Sequence, residues 1–133
     1  MRILIYGAGV IGSLYAALFS NNKNIDVSVY ARGRRLEELR KNGLRYFDKG
    51  TVKVAEVRII DAVKNDDIYD HIFLTIREDQ LYKALEELRG NISQNVVTMV
   101  NSLDDYKKWE DICGKGRIIP AFRGQAVVLT MGS

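Results

Sequence analysis

Three glycines, spaced G-x-G-x-x-G at Gly7-Ala8-Gly9-Val10-Ile11-Gly12, restrict what this chain can fold into more than any other stretch of its 133 residues. Before them runs Arg2-Ile3-Leu4-Ile5-Tyr6, a short apolar segment of the kind buried on both faces inside a parallel sheet. After them Val10/Ile11, Leu14/Tyr15 and Leu18/Phe19 recur every four residues, the spacing of one helix face. A glycine triplet between a strand and a helix has a mechanical reading. Gly7 permits the tight turn, Gly9 lets backbone approach a pyrophosphate, and Gly12 lets the helix pack closely on the strand. The free N–H groups and positive dipole end of the helix would then face phosphate. The bland alternative is a glycine-rich turn with no ligand.

The remaining segments fit one α/β domain. Polar Asn21-Asn22-Lys23-Asn24 ends the first helix, and residues 25–30 form a second strand with Val27 and Val29 on one face. Strand, helix and strand within about 30 residues is the right-handed βαβ unit of a doubly wound sheet. Leu36 and Leu39 mark a short helix ended by Asn42-Gly43. From 44 to 60 the apolar period falls to two around the turn Asp48-Lys49-Gly50, which predicts a small antiparallel insertion. Further strands are expected at 70–76, 96–100 and 117–119. Between them lie a helix with the stripe Leu81, Ala84, Leu85 and Leu88 and another with Tyr106, Trp109, Ile112 and Cys113 on one side. The fold expected is Rossmann-type: doubly wound, mostly parallel, with a small antiparallel insertion at about 44–60.

The residues just past the second strand bear on the ligand. Dinucleotide sites that take NAD carry an Asp or Glu about 20 residues past the glycines, bonded to the ribose 2′-hydroxyl. Here the segment is Ala31-Arg32-Gly33-Arg34-Arg35, with Arg32 twenty positions beyond Gly12. A carboxylate would repel a 2′-phosphate, whereas a guanidinium binds one through charge-assisted hydrogen bonds. The inference is NADP(H) over NAD(H). The alternative is that these arginines are solvated charges opening the next helix. Other polar residues expected at the carboxyl ends of the strands, where open sheets bind ligands, are Arg77-Glu78-Asp79-Gln80 and Asn101-Ser102.

Composition narrows the rest. Twenty basic against 17 acidic residues leave a net charge of +3, too slight and too dispersed to predict a nucleic-acid surface. One cysteine, Cys113, cannot form an internal disulfide, which suits a reducing compartment; it reads as a core residue of a helix face. Lone His71, at a strand entrance, reads as structural. No apolar run approaches the ~20 residues of a membrane span, and Met1 leads directly into the first strand, so no signal peptide and a cytoplasmic location are expected. No metal site is expected. The apolar segment 126–131 has β-forming residues that could pair with a second copy of the chain, giving a homodimer.

These residues also resemble a known family. Ile-Tyr-Gly-Ala-Gly-Val-Ile-Gly-Ser-Leu-Tyr-Ala at 5–16, Ala-Arg-Gly-Arg-Arg-Leu-Glu-Glu-Leu-Arg-Lys-Asn-Gly-Leu at 31–44, and Thr75-Ile76-Arg77 with Gln80 are similar to the amino-terminal domain of the 2-dehydropantoate 2-reductases, or ketopantoate reductases. The likeness runs from residue 1 to about 122. It implies an enzyme that uses NADPH to reduce a 2-keto acid, 2-dehydropantoate, to pantoate in pantothenate synthesis. By position, Gly7, Gly9 and Gly12 would cradle the pyrophosphate, with N–H groups from Val10 and Ile11, and Arg32 would hold the 2′-phosphate. Arg77 stands where the family usually has a lysine near the cofactor. Asn101 matches an asparagine beside nicotinamide and substrate, with Ser102 and Asp104 replacing the family's usual glycine-rich turn.

The resemblance also implies a second, helical domain that supplies a lysine general acid, and 133 residues hold no counterpart of it. The tail 123–133 departs from the family's proline- and glycine-rich continuation. The expectation is therefore a single NADP(H)-binding domain over 1–133 with no catalytic residue of its own: a truncated or frame-disrupted reductase, or a cofactor domain cut deliberately. The alternative is a stand-alone NADP(H)-binding sensor or regulatory module.

Overall fold

The structure is a computed structural model, and it describes residues 1–99 and 106–120. The opening unit is β1 (Arg2–Tyr6), α1 (Val10–Ser20) and β2 (Asp26–Tyr30). After it come α2 (Gly33–Asn42), the pair β3 (Leu44–Asp48) and β4 (Thr51–Ala55), and β5 (Arg58–Ile60). The second half is β6 (His71–Leu74), α3 (Glu78–Leu88), β7 (Val96–Thr98), α4 (Tyr106–Cys113) and β8 (Ile118–Pro120). Six strands form one parallel sheet in the order β5-β2-β1-β6-β7-β8. The order reverses between β1 and β6, the topological switch point where open sheets of this kind bind ligands. The Rossmann-type doubly wound architecture expected from the sequence is the one observed.

Alternation along the strands divides the core in two. Ile3, Ile5, Val27, Val29, Phe73 and Val97 face α1 and the hairpin, while Leu4, Tyr6, Ile72, Leu74 and Val96 face α3 and α4. The stripe Leu81, Ala84, Leu85 and Leu88 is fully buried as its spacing requires. Trp109 and Cys113 complete that layer, and burial pushes the Cys113 thiol up from its ordinary pKa.

Two expectations need adjustment. The antiparallel insertion is present but ends at Ala55; β5 leaves it and pairs in parallel with β2 through Ser28–Arg58, Val29–Ile59 and Tyr30–Ile60. Alternation alone cannot tell an edge strand of the main sheet from a third strand of a meander. The apolar row on α1 is also rotated from the one expected. Val10 is 87% exposed, and Leu14 and Leu18 are more than half exposed, whereas Gly12, Ala16 and Ala17 are buried and Ile11, Tyr15 and Phe19 flank them. Small residues let the helix axis lie close to the sheet, so proximity takes precedence over side-chain size. Expected strand ends at 70–76 and 96–100 shorten to β6 and β7.

The two edges of the sheet are finished differently. At the amino ends, the Met1 ammonium donates to the Asn24 carbonyl, and Arg2 gives its backbone N–H to Asp70 and its guanidinium to the Ile68 carbonyl. His71 opens β6 on this edge. Buried Arg117 serves the α3/α4 layer by donating to the carbonyls of Ser93, Leu88 and Cys113, and so places a cation at the carboxyl ends of both helices. The carboxyl edge instead carries a cavity. No described helix is long and apolar enough to cross a membrane. Asn101, Ser102, Asp104 and the segment 126–131 proposed to pair with a second copy lie outside the described residues.

The rotated face of α1 is open to direct test. Ala16→Leu, at a fully buried position, is expected to destabilise the fold by about 1–3 kcal/mol through overpacking. Leu18→Ala, at an exposed one, should change stability by about 0.5 kcal/mol or less. Urea unfolding followed by circular dichroism measures both; the reverse ranking would refute the inward placement of the small residues.

Candidate nucleotide-binding site

A cavity of about 600 Å³ opens at the switch point, over the carboxyl ends of β1, β2 and β6. Its floor is the glycine loop, with Gly7, Gly9, Val10 and Ile11 in the lining. Tyr30, Ala31, Arg32 and Arg35 form one wall, and Thr75, Ile76, Arg77, Gln80 and Met99 the other. Residues far apart in sequence meet here because β1 and β6 are neighbours, with Tyr6 opposite Leu74.

The three glycines have three separate reasons. Gly7 has φ +120°, and a Cβ there would sit 2.7 Å from the Ile76 side chain and 2.8 Å from the Thr75 carbonyl. At Gly12 a Cβ would meet the Gly7 carbonyl oxygen at 2.0 Å and Thr75 Oγ1 at 2.5 Å. The loop and the helix therefore touch through backbone, and Thr75 fastens the contact by donating its hydroxyl to the Gly7 carbonyl at 2.8 Å. Gly9 is different. It caps α1 in extended geometry with φ −74°, and apart from its chain neighbours a Cβ there would have nothing among the described residues within 4 Å. Neither strain nor crowding by the described residues asks for glycine at that point; a Cβ would project into the cavity. At the start of α1 the first-turn N–H groups have no intrahelical acceptor. The helix has no side-chain cap and no acidic residue in that turn, so an anion would find donors and no competing carboxylate from the helix itself.

The arginines separate into two roles. Arg35 braces the loop: Nε donates to the Ala8 carbonyl at 2.8 Å, one terminal nitrogen to Ser13 Oγ at 3.0 Å, and the other to Glu38 at 2.9 Å. Arg32 caps α2 and turns its guanidinium toward α3, where Glu87 lies 3.8 Å away. Arg34 is exposed. Arg77 caps α3, is well exposed, and pairs with Asp79 at 3.3 Å; its carbonyl accepts from the Gln80 N–H at 3.0 Å. The structure thus brings together eight of the nine site residues singled out in the sequence: seven line the cavity and Gly12 packs beneath it. The ninth, Asn101, is outside the described residues.

Arg35, Thr75 and the tyrosine pair were not foreseen in these roles. Tyr6 and Tyr30 end adjacent strands in register, and their rings stack with centroids 4.4 Å apart. The Tyr6 hydroxyl donates to Glu87, and burial, reinforced by that hydrogen bond, pushes its pKa far above the usual phenol value. Tyr30 is raised for the same first reason, burial, followed by the nearby Glu87 charge. The usable signal was two tyrosines at equivalent strand ends. Nothing local in the sequence points to Glu87.

Comparison with known proteins agrees with this geometry. Residues 3–130 match the family described as ketopantoate reductase PanE/ApbA. The chain belongs to that family. A 2-dehydropantoate 2-reductase of Mesorhizobium japonicum is 33% identical over 105 residues, which cover 77% of this chain and 32% of that protein. The chain therefore spans about a third of the length of this ketopantoate reductase. Among solved structures, a D-mandelate dehydrogenase with NADH and anilino(oxo)acetate superposes with a TM-score of 0.77 at 23% identity, covering 92% of this chain and 40% of that one. The 2-dehydropantoate 2-reductase of Geobacter metallireducens gives 0.72 at 24% identity, covering 90% and 40%. At those identities the structural likeness speaks for the fold, and the family match for kinship.

For this member of the family, the glycine contacts give a stability test. Gly12→Ala should destabilise by about 3 kcal/mol or more, because its Cβ meets backbone that cannot move without unseating α1. Gly9→Ala should cost about 1 kcal/mol or less, since its geometry suits any residue. Thermal unfolding of the two variants checks the difference; equal losses would refute the division.

Proposed function

We propose that this chain is the NADP(H)-binding domain of a 2-dehydropantoate 2-reductase-like oxidoreductase, the enzyme that reduces 2-dehydropantoate to pantoate. The observation that carries the reading is Gly9: a glycine at the amino end of a helix, bordering a cavity, with no reason among the described residues to lack a side chain. A pyrophosphate needs that clearance, because its oxygens must reach the N–H groups of Gly9, Val10 and Ile11. Family membership and the NADH bound in the related D-mandelate dehydrogenase fold both favour a pyridine nucleotide.

Arg32 selects between the two such nucleotides. It lines the cavity on the β2 side, where the adenosine ribose of a dinucleotide in this fold would lie, and its planar fork suits a 2′-phosphate. Gly7 and Gly12 shape the loop, Arg35 holds it, Arg77 and Gln80 would contact the nucleotide or substrate from the β6 side, and Asn101 would be a further contact. When bound, a reduced nicotinamide would supply a hydride equivalent to the carbonyl carbon of a 2-keto acid. This chain's own task is then to bind, orient and shield that ring. The carbonyl oxygen needs a proton donor as the hydride arrives, and the described lining contains neither a lysine nor a carboxylate. The 133-residue chain is therefore expected to bind NADPH without turning over 2-dehydropantoate, the general acid coming from residues outside this lining. The buried free thiol of Cys113 fits a reducing, cytoplasmic setting.

Calorimetric titration with NADPH and NADH tests the assignment, with tighter binding of NADPH expected. Arg32→Ala should cost about 1.5–3 kcal/mol in NADPH affinity, the range for a lost hydrogen bond to a charged group, and leave NADH nearly unchanged. Equal weakening of both would reduce Arg32 to a structural residue. Gly9→Ala should stay folded yet lose affinity for both nucleotides; undiminished binding would remove the argument from clearance. Oxidation of NADPH by the purified chain in the presence of 2-dehydropantoate would overturn the expectation of binding alone.

A further inference from the structure

Glu87 is the one carboxylate that the fold places against Arg32 among the described residues, and it comes from the far end of α3. Its two oxygens do different things. One accepts the hydroxyl of Tyr6, and the other faces the Arg32 guanidinium at 3.8 Å. Tyr6 cannot follow a wandering carboxylate. Its ring ends the central strand, is almost wholly buried and stacks on Tyr30. Most carboxylates beside a surface arginine swing away at little cost; this one is tethered.

We propose that Glu87 is a specificity-determining residue: a fixed negative charge beside Arg32 that opposes a 2′-phosphate and thereby narrows the preference for NADPH over NADH. The inference rests on the nucleotide reading above and deepens it. A 2′-phosphate approaching the guanidinium must share it with a carboxylate that is already there, and two anions on one cation repel. A 2′-hydroxyl carries no charge and meets no such penalty. The arrangement therefore combines, from two distant parts of the chain, the cation typical of NADP sites and an anion of the kind typical of NAD sites. Sequence position supplies the first and the fold supplies the second.

The test uses adenosine 2′,5′-bisphosphate and ADP as probes, titrated into the full chain and into Glu87→Gln. The glutamine keeps an oxygen for the Tyr6 hydroxyl and removes the charge. The bisphosphate should bind about three- to ten-fold more tightly to the variant, as expected for removing one like charge near a partly exposed site, with ADP within about twofold. The gain should shrink as salt rises from about 0.05 to about 0.5 M, because exposed charges are screened over that range. Weaker or unchanged bisphosphate binding, or a parallel gain for ADP, would overturn the role of Glu87 and leave the nucleotide site standing. Failure of the unaltered chain to bind either probe would overturn the nucleotide reading, and this inference with it. Matching unfolding midpoints for the two proteins would exclude a folding defect as the cause.

Discussion

The contact on which the site depends is the approach of α1 to the loop that precedes it. With no side chain at Gly12, the helix rests on the Gly7 carbonyl, and Thr75, just past β6, closes the gap with a hydrogen bond. Two strands and one helix are thereby joined through backbone and one hydroxyl. The small faces of Ala16 and Ala17 continue the close approach along the helix, with Ile11, Tyr15 and Phe19 flanking it and Val10, Leu14 and Leu18 turned outward. The same contact aims the amino end of α1 at the switch point of the sheet. Geometry that looks like packing economy is also what places unpaired N–H groups where an anion can reach them.

Much of this was legible in the sequence because it rests on local chemistry. The strand–glycine–helix order, the Leu81/Ala84/Leu85/Leu88 stripe and the cap at Gly43, whose φ is +73°, each depend on a handful of adjacent residues. The place of Arg32 in the cavity lining was legible through its distance from the glycines. Whatever depends on which element lies beside which could not be read. Alternation at 57–60 fits a hairpin as well as an edge strand, and only pairing with β2 decides it. The apolar row on α1 misleads for a related reason. Periodicity reports which residues share a face, but a helix lying on glycine and alanine presents its small face inward, and hydrophobicity alone ranks that face below its neighbours.

Arg32 and Arg35 show how position converts one residue type into two functions. They are three apart where α2 begins, so they lie on neighbouring parts of the helix surface. Arg35 reaches back across the glycine loop, and each guanidinium nitrogen is engaged, by Ala8, Ser13 and Glu38. It fixes the loop and has little left to offer a ligand. Arg32, at the cap, sits beyond that reach and, among the described residues, pairs loosely with Glu87 at 3.8 Å. The charge available for recognition is therefore smaller than a run of arginines implies.

Selectivity in such a site is then a matter of balance between charges rather than the presence of one. A guanidinium alone would draw any anion, and its preference for a phosphorylated ribose would be limited only by desolvation. A tethered carboxylate beside it leaves attraction for the extra phosphate but reduces its margin over a plain hydroxyl. The tether is a phenol held protonated by its burial and by the carboxylate itself. The anion's position is thus set by a buried side chain of the central strand as well as by the helix that carries it. Whatever preference the site has is built on the same strand that ends in the glycine loop, so cofactor grip and cofactor choice share one foundation.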